Sequence, residues 1–264
     1  NLLLSGRSRI ADGVSYEFAR HAVSLDMYIP YNQTAVKLES FLKKHPCRSI
    51  QGYPSLIYEF CLYCETNPIL LSTIKKELKT VILNSEFPYK KYRDKIESVF
   101  GVKTYSFYGH TERCVMAGEQ EIPFEYHPFQ TYGHAEALPR EDGHYDLIGT
   151  NYNNRATPLI RYNTKDVIDA PTYRDGILES FEIIEGRSDQ YVKDGTGRKI
   201  SPTGLLMGRH HLLFDHVAFI QLKQDVDGEA TIYYVPKKGE KIVNPEKLFD
   251  ASKVDIRFTF REMA

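Results

Sequence analysis

The 264-residue sequence has almost no net charge, few cysteines and no long apolar run. Its 34 Lys and Arg against 35 Asp and Glu leave a formal charge of -1, so no broad field draws the chain to nucleic acid or to an anionic lipid surface. No apolar run, Val81-Ile82-Leu83 among them, approaches the roughly 20 residues that span a bilayer, and no membrane insertion is expected. Cys47, Cys61, Cys64 and Cys114 are irregularly spaced, which suits a reducing cytoplasm better than a disulfide-stapled domain. Residues Asn1 to Arg7 have neither a basic leader nor a signal-like apolar segment, and no initiator Met, so the chain is expected to begin inside a longer protein. What is present is a folded composition, 42% hydrophobic, whose function has to lie in a local site.

Along the chain, Val36, Leu38, Phe41 and Leu42 give helical spacing over Thr34 to Lys44. A short Ser49-Ile50-Gln51-Gly52-Tyr53 leads through Pro54 into a second helix. There Cys61 and Cys64 share one face and read as buried structural thiols before metal or redox ligands. A polar stretch follows Asn67-Pro68. Thr80 to Asn84 is a buried strand, Glu86 to Val99 a helix with Pro88 near its first turn, and Val102 to Phe107 another strand. Strand, helix, strand with short connections predicts a parallel, helix-covered sheet, whose ligands gather beyond the carboxyl ends of the strands.

The middle of the chain changes character. Gly133 to Leu138, the Asp142-Gly143 turn and His144 to Thr150 read as a β-hairpin, and Pro158 to Tyr162 and Ile177 to Ile184 as further strands. Beyond about residue 188, short strands around Asp194-Gly195-Thr196-Gly197, a helical patch at Leu205-Leu206-Met207, strands His216 to Gln224 and Ala230 to Val235, a helix and a last strand Val254 to Phe260 predict a small α+β domain. His210-His211 read as exposed helix or loop. The expected fold is therefore α/β: a large domain (1–187) with a mixed, largely parallel sheet flanked by helices plus an antiparallel part, and a small C-terminal α+β domain (188–264).

Three loops carry chemistry. In Tyr108-Gly109-His110-Thr111-Glu112-Arg113, a phenol can stack on a flat ring, a hydroxyl can bond a phosphate oxygen, and a carboxylate can hold a divalent cation. The plainer alternative makes Thr111 a helix cap and Glu112 a first-turn acid. Asp166 follows a strand, where it could accept from ribose hydroxyls or simply end a turn. In Gly186-Arg187-Ser188-Asp189-Gln190, an arginine could reach phosphate or ribose, or the segment could be an ordinary connection.

Taken in order, the three loops resemble successive core motifs of the AMP-forming adenylate-forming enzymes, the acyl-CoA ligase superfamily. The resemblance is strongest to the branch of phenylacetate-CoA ligase and the capsular polysaccharide biosynthesis adenylating proteins. Tyr108-Gly109-His110-Thr111-Glu112 is similar to Tyr-Gly-x-Thr-Glu, Pro158 to Asp166 to Pro-Leu-Ile-Arg-Tyr-Arg-Thr-Gly-Asp, and Gly186 to Gln190 to the Gly-Arg-x-Asp-Asp hinge. Gln51-Gly52-Tyr53-Pro54-Ser55 also fits the Gly-Tyr-Pro-Ser of the capsular branch.

The resemblance implies that Tyr108 and Gly109 face adenine, Thr111 the phosphate, Glu112 a magnesium ion, Asp166 the ribose and Arg187 ribose or phosphate. It makes Asp189 the hinge and assigns Tyr53, Pro54 and Ser55 to the acid pocket. It implies ATP or AMP, magnesium and CoA as ligands, and a small carboxylic acid converted to an acyl-adenylate and then to a thioester. The alternative is a non-catalytic relative that binds nucleotide or a partner.

The departures are Asn163 for the motif's arginine and Lys165 for its glycine. The family's Ser/Thr/Gly-rich phosphate loop and its late Gly-Lys lysine are not found between Asn1 and Ala264. A zinc site built from His110, His127, His134, His144 and Cys114 is a weaker expectation, because the ligands lack tight spacing.

Overall fold

The computed structural model describes residues 1–5, 10–27, 29–184, 191–200, 202–206, 211–252 and 254–263. Residues 1–5, 10–25 and 29–184 form one compact unit, and the described residues from 191 onward belong to a second.

In the first unit the elements run β1 (Leu2–Ser5), β2 (Val14–Glu17), β3 (Ala22–Asp26), α1 (Tyr31–Lys44), β4 (Ser49–Gly52), α2 (Pro54–Glu65), α3 (Pro68–Lys75), β5 (Thr80–Asn84), α4 (Lys90–Phe100) and β6 (Thr104–Gly109). They continue with β7 (Met116–Glu119), β8 (Glu125–Pro128), β9 (Gly133–Pro139), β10 (Tyr145–Asn151), β11 (Tyr162–Arg174) and β12 (Ile177–Ile183). All twelve strands join one sheet, in the order β2-β3-β1-β4-β5-β6-β7-β8-β12-β11-β10-β9. The pairs β1/β4, β4/β5 and β5/β6 are parallel. From β6 onward every pair is antiparallel, so the two predicted sheet types are halves of one sheet.

The sequence explains the parallel half. Val81 and Leu83 of β5 are fully buried, and β-branched residues suit a strand covered by helices. Pro54 and Pro68 sit in the first turns of α2 and α3, where a missing N–H costs nothing. Gly101 ends α4 in the left-handed conformation, and its N–H caps the Glu97 carbonyl. On α2, Cys61 and Cys64 are free and buried, as Cys47 and Cys114 are elsewhere.

Several boundaries differ from expectation. The stretch after Pro68 is helix, because Leu70 and Ile74 fall one turn apart and both are buried. Helix α4 starts at Lys90, beyond Pro88. Strand β6 runs on to Gly109, so Tyr108 stands in the strand itself. Pro158 to Arg161 is a loop, and β11 begins at Tyr162.

In the second unit, β13 (Val192–Lys193) and β14 (Lys199–Ile200) form a hairpin closed by Asp194, which accepts from Thr196 and Arg198. After α5 (Pro202–Leu206), β15 (Val217–Val226) pairs antiparallel with β16 (Glu229–Pro236), and β16 pairs parallel with β17 (Arg257–Glu262). Leu213, Val217, Ile232, Tyr234 and Phe249 form its core. Instead of the helix expected before the last strand, the described residues there form a single 3-10 turn, Pro245–Lys247. His211, expected at the surface, is buried: its ring stacks on Phe249 at 3.8 Å, accepts the Asp250 N–H at 3.0 Å and meets the Leu205 carbonyl at 2.8 Å. A flat apolar neighbour and two backbone partners replace the water it gives up. Among the described residues, no helix is long and apolar enough to cross a membrane.

Candidate functional site

Two segments meet where the parallel half of the sheet gives way to the antiparallel half. One is the loop after β6, which carries His110 to Cys114; the other is the bulged start of β11, which carries Tyr162 to Asp166. The first is seated by Cys114, which is fully buried in the antiparallel core beside Val115, Ala117, Tyr126, Leu147 and Phe181. Two glycines make that seat possible. A Cβ at Gly133 would lie 2.1 Å from the Cys114 carbonyl oxygen, and one at Gly149 would lie 2.6 Å from the Cys114 Cβ. Only bare backbone on β9 and β10 lets the loop come this close.

The Tyr108 hydroxyl donates to Asp166 Oδ2 at 2.5 Å, across 58 residues of sequence. The Tyr162 hydroxyl donates to Glu112 Oε1 at 3.1 Å, in the opposite sense. Both rings lean on the antiparallel core, and Tyr108 meets Phe181 edge-on at 6.0 Å. Each phenol therefore has an apolar body in the core and a polar tip at these segments. Gly109 is exposed, and a Cβ there would find no atom of the described residues within 4 Å, so the backbone next to Tyr108 has space for a neighbour at that position.

Glu112 has further partners. His110 Nδ1 lies 3.1 Å from its Oε2, and the Thr111 hydroxyl donates to the same oxygen at 3.3 Å. The Val115 N–H donates to His110 Nε2 at 3.2 Å, which makes that nitrogen an acceptor and places the ring proton on Nδ1, facing the carboxylate. The Glu112 carboxyl is held below the ordinary carboxylate range. The hydrogen bond from its own backbone N–H lowers it most, and the bonds from His110 and Tyr162 add to this against a partial desolvation. It is ionised at neutral pH, and its side chain is 34% exposed.

The start of β11 and the residue before it are held in an unusual backbone conformation. Arg161 and Lys165 both adopt positive φ, 49° and 66°, and Arg113 on the loop after β6 does the same at 59°. Left-handed non-glycine residues are uncommon and gather where surrounding structure fixes a loop. The Thr164 hydroxyl donates to the Leu147 carbonyl at 2.8 Å and accepts the Asp166 N–H at 3.1 Å, which anchors the turn to β10. Asn163, the first departure from the motif, donates to Asp146 Oδ2 at 3.1 Å and accepts the Lys165 N–H at 2.8 Å. Arg140 takes the other Asp146 oxygen at 2.7 Å, so Asn163 serves its own hairpin.

At the ends of β4 and β5, Ser55 donates through both its N–H and its hydroxyl to Glu86, each at 3.0 Å. Burial pushes the Glu86 carboxyl up, and the two Ser55 bonds oppose the shift. Tyr53 and Pro54 are buried beside it. Arg187 and Asp189 lie outside the described residues.

Sequence reading missed the roles of His110, Tyr162 and Glu86. Tyr162 had a signal: it precedes Asp166 by the same four positions that separate Tyr108 from Glu112. Among the described residues, no group of three or more His, Cys, Asp or Glu is placed to hold a metal ion. His110 is engaged with Glu112, and His127 pairs with Glu125 at 2.9 Å. A lone ionised carboxylate with hydroxyl neighbours nonetheless fits magnesium, which takes one or two carboxylates and draws its remaining ligands from water and substrate phosphates.

No protein-family model matches the chain, and no curated protein matches it by sequence. By structure, the fold is similar to that of solved acyl-CoA ligases. One such structure is 2-hydroxyisobutyryl-CoA ligase in the postadenylation state with R3-HIB-AMP, at 14% identity and a TM-score of 0.51, covering 92% of this chain and 56% of that one. The same ligase with 2-HIB-AMP and CoA in the thioesterification state gives 14% identity and a TM-score of 0.50, covering 91% and 60%. The chain thus spans little more than half the length of these ligases.

Proposed function

We propose that this chain carries the adenylate-handling part of an AMP-forming ligase, of the kind its motifs resemble in phenylacetate-CoA ligase and the capsular polysaccharide biosynthesis proteins. The reaction is attack of a small carboxylic acid on the α-phosphate of ATP, giving an acyl-adenylate and pyrophosphate, followed by transfer of the acyl group to CoA or another acceptor. The observation that carries this reading is the meeting of Tyr108, Thr111 and Glu112, neighbours in sequence, with Asp166, 58 residues beyond Tyr108, at the carboxyl end of a parallel strand in a ligase-like fold.

In this reading the Tyr108 ring, beside the exposed Gly109, carries adenine. Asp166 accepts from the ribose hydroxyls, and Thr111 donates to phosphate. Glu112 binds magnesium, which supplies charge neutralisation at the phosphates when bound. Tyr53, Pro54 and Ser55 border the acid. Arg187 reaches ribose or phosphate, and Asp189 is the hinge between a large domain (1–187) and a lid (188–264). Four free, buried thiols fit a reducing cytoplasm.

Titration calorimetry with AMP, and with ATP plus magnesium, tests the nucleotide site: both bind, and Asp166→Ala weakens ATP more than a ribose-lacking analogue. The acyl chemistry is read by acid-dependent exchange of pyrophosphate into ATP by the native protein. Absence of exchange across a broad acid panel would refute it.

A further inference from the structure

The two carboxylates assigned to the nucleotide each receive a hydroxyl from the other segment. Asp166, in the bulged start of β11, receives the hydroxyl of Tyr108 on β6, and Glu112, from the loop after β6, receives the hydroxyl of Tyr162 on β11. Each segment thus supplies one tyrosine and one carboxylate, and each tyrosine orients the carboxylate of the other.

We infer that Tyr108 and Tyr162 are reciprocal positioning residues, with Tyr108 setting Asp166 for the sugar and Tyr162, with His110, setting Glu112 for the cation. This assignment rests on the nucleotide reading above.

Three observations support it. Both tyrosines are anchored by the same antiparallel core, so their hydroxyls are fixed points. Both carboxylates stand next to left-handed backbone, at Arg113 and at Lys165, in turns that need external ties to stay put. And the His110 ring, 6.4 Å from Tyr162 and nearly parallel to it, is locked by the Val115 N–H with its proton toward Glu112, which closes the approach to Oε2 from that side. A hydroxyl bound to one lone pair of a carboxylate oxygen leaves the oxygen's other lone pair directed, so a ligand meets a carboxylate that is already oriented.

Tyr108→Phe and Tyr162→Phe keep the rings and delete only the hydroxyls. Binding is measured by calorimetry with AMP and with 2′,3′-dideoxy-AMP, both in chelator, and Mn²⁺ uptake in the presence of ATP is followed by the loss of the free-ion electron paramagnetic resonance signal. A hydrogen bond to a charged group is worth about tenfold in affinity. Tyr108→Phe is expected to weaken AMP about tenfold while changing dideoxy-AMP less than about twofold. Tyr162→Phe is expected to weaken Mn²⁺ uptake about tenfold and leave chelator-treated AMP binding within about twofold.

A general structural role would weaken all probes together, and equal losses with the wild type binding normally overturn the positioning roles alone. No change in either variant overturns them as well. A wild type that binds none of the probes overturns the nucleotide reading, and this inference with it.

Discussion

Removing Glu119 from the base of the site is the most demanding test of how the strand bearing Tyr108 is held. The Glu119 and Arg93 side chains are 1% and 4% exposed and form a salt bridge. The carboxylate also accepts the Ser106 N–H at 2.6 Å and the Phe124 N–H at 2.7 Å, while Arg93 donates to the Thr104 hydroxyl at 3.2 Å and lies 4.6 Å from the Phe124 ring centroid. One buried pair thus ties α4 to the first half of β6 and to the turn after β7.

Glu119→Ala leaves a buried guanidinium and two backbone N–H groups without their acceptor. Breaking a buried pair from one side costs about 3–5 kcal/mol, and an orphaned N–H about 1–3 kcal/mol, so a loss of about 4 kcal/mol is expected, since these terms overlap. The double variant Arg93→Met, Glu119→Gln removes both charges and keeps one acceptor, and should recover about 2 kcal/mol of that loss. Hydrogen exchange of peptides covering β6 and β7 reads the local opening directly, because the chain divides into two units and one global transition would mix them. A loss below about 1 kcal/mol, or a double variant as costly as the sum of its single changes, would refute the reasoning.

Two further outcomes follow from the two segments themselves. Lys165 adopts a φ of 66°, a conformation that costs a side chain about 1 kcal/mol or more; Lys165→Gly should therefore be more stable than Lys165→Ala by about 1 kcal/mol in urea unfolding, and equal stabilities would contradict the assigned backbone. Because the Glu112 carboxyl is depressed in the folded state, its contribution is fully present above its unfolded value near 4.3 and is lost as pH falls through the folded value. The stability gap between wild type and Glu112→Gln should thus narrow on acidification below that point, as followed by thermal unfolding across a pH series; a gap that widens would show the opposite shift.

Much of the parallel half was legible because its signals are local. Apolar spacing on α1, proline at the start of α2 and α3, β-branched Val81 and Ile82, and Gly101 at the end of α4 each act within one turn or one strand. Boundaries failed where pairing decided them. Tyr108 belongs to β6 because its backbone pairs with Ala117 of β7, and nothing near Tyr108 in sequence announces that partner. His211 failed for a similar reason: its cover, Phe249 and Asp250, comes from far along the chain.

The sequence alone determined the chemical inventory and its order: a phenol, a hydroxyl and a carboxylate within five residues, an aspartate farther along, and the turn and helix signals that space them. It could not show which tyrosine serves which carboxylate. That pairing was decided when β6 to β12 closed into one sheet and the glycines of β9 and β10 admitted Cys114 into its core. Hydrogen bonds between distant segments depend on distances that only the packed chain sets, so Tyr162 became a partner of Glu112, and Tyr108 of Asp166, in three dimensions alone.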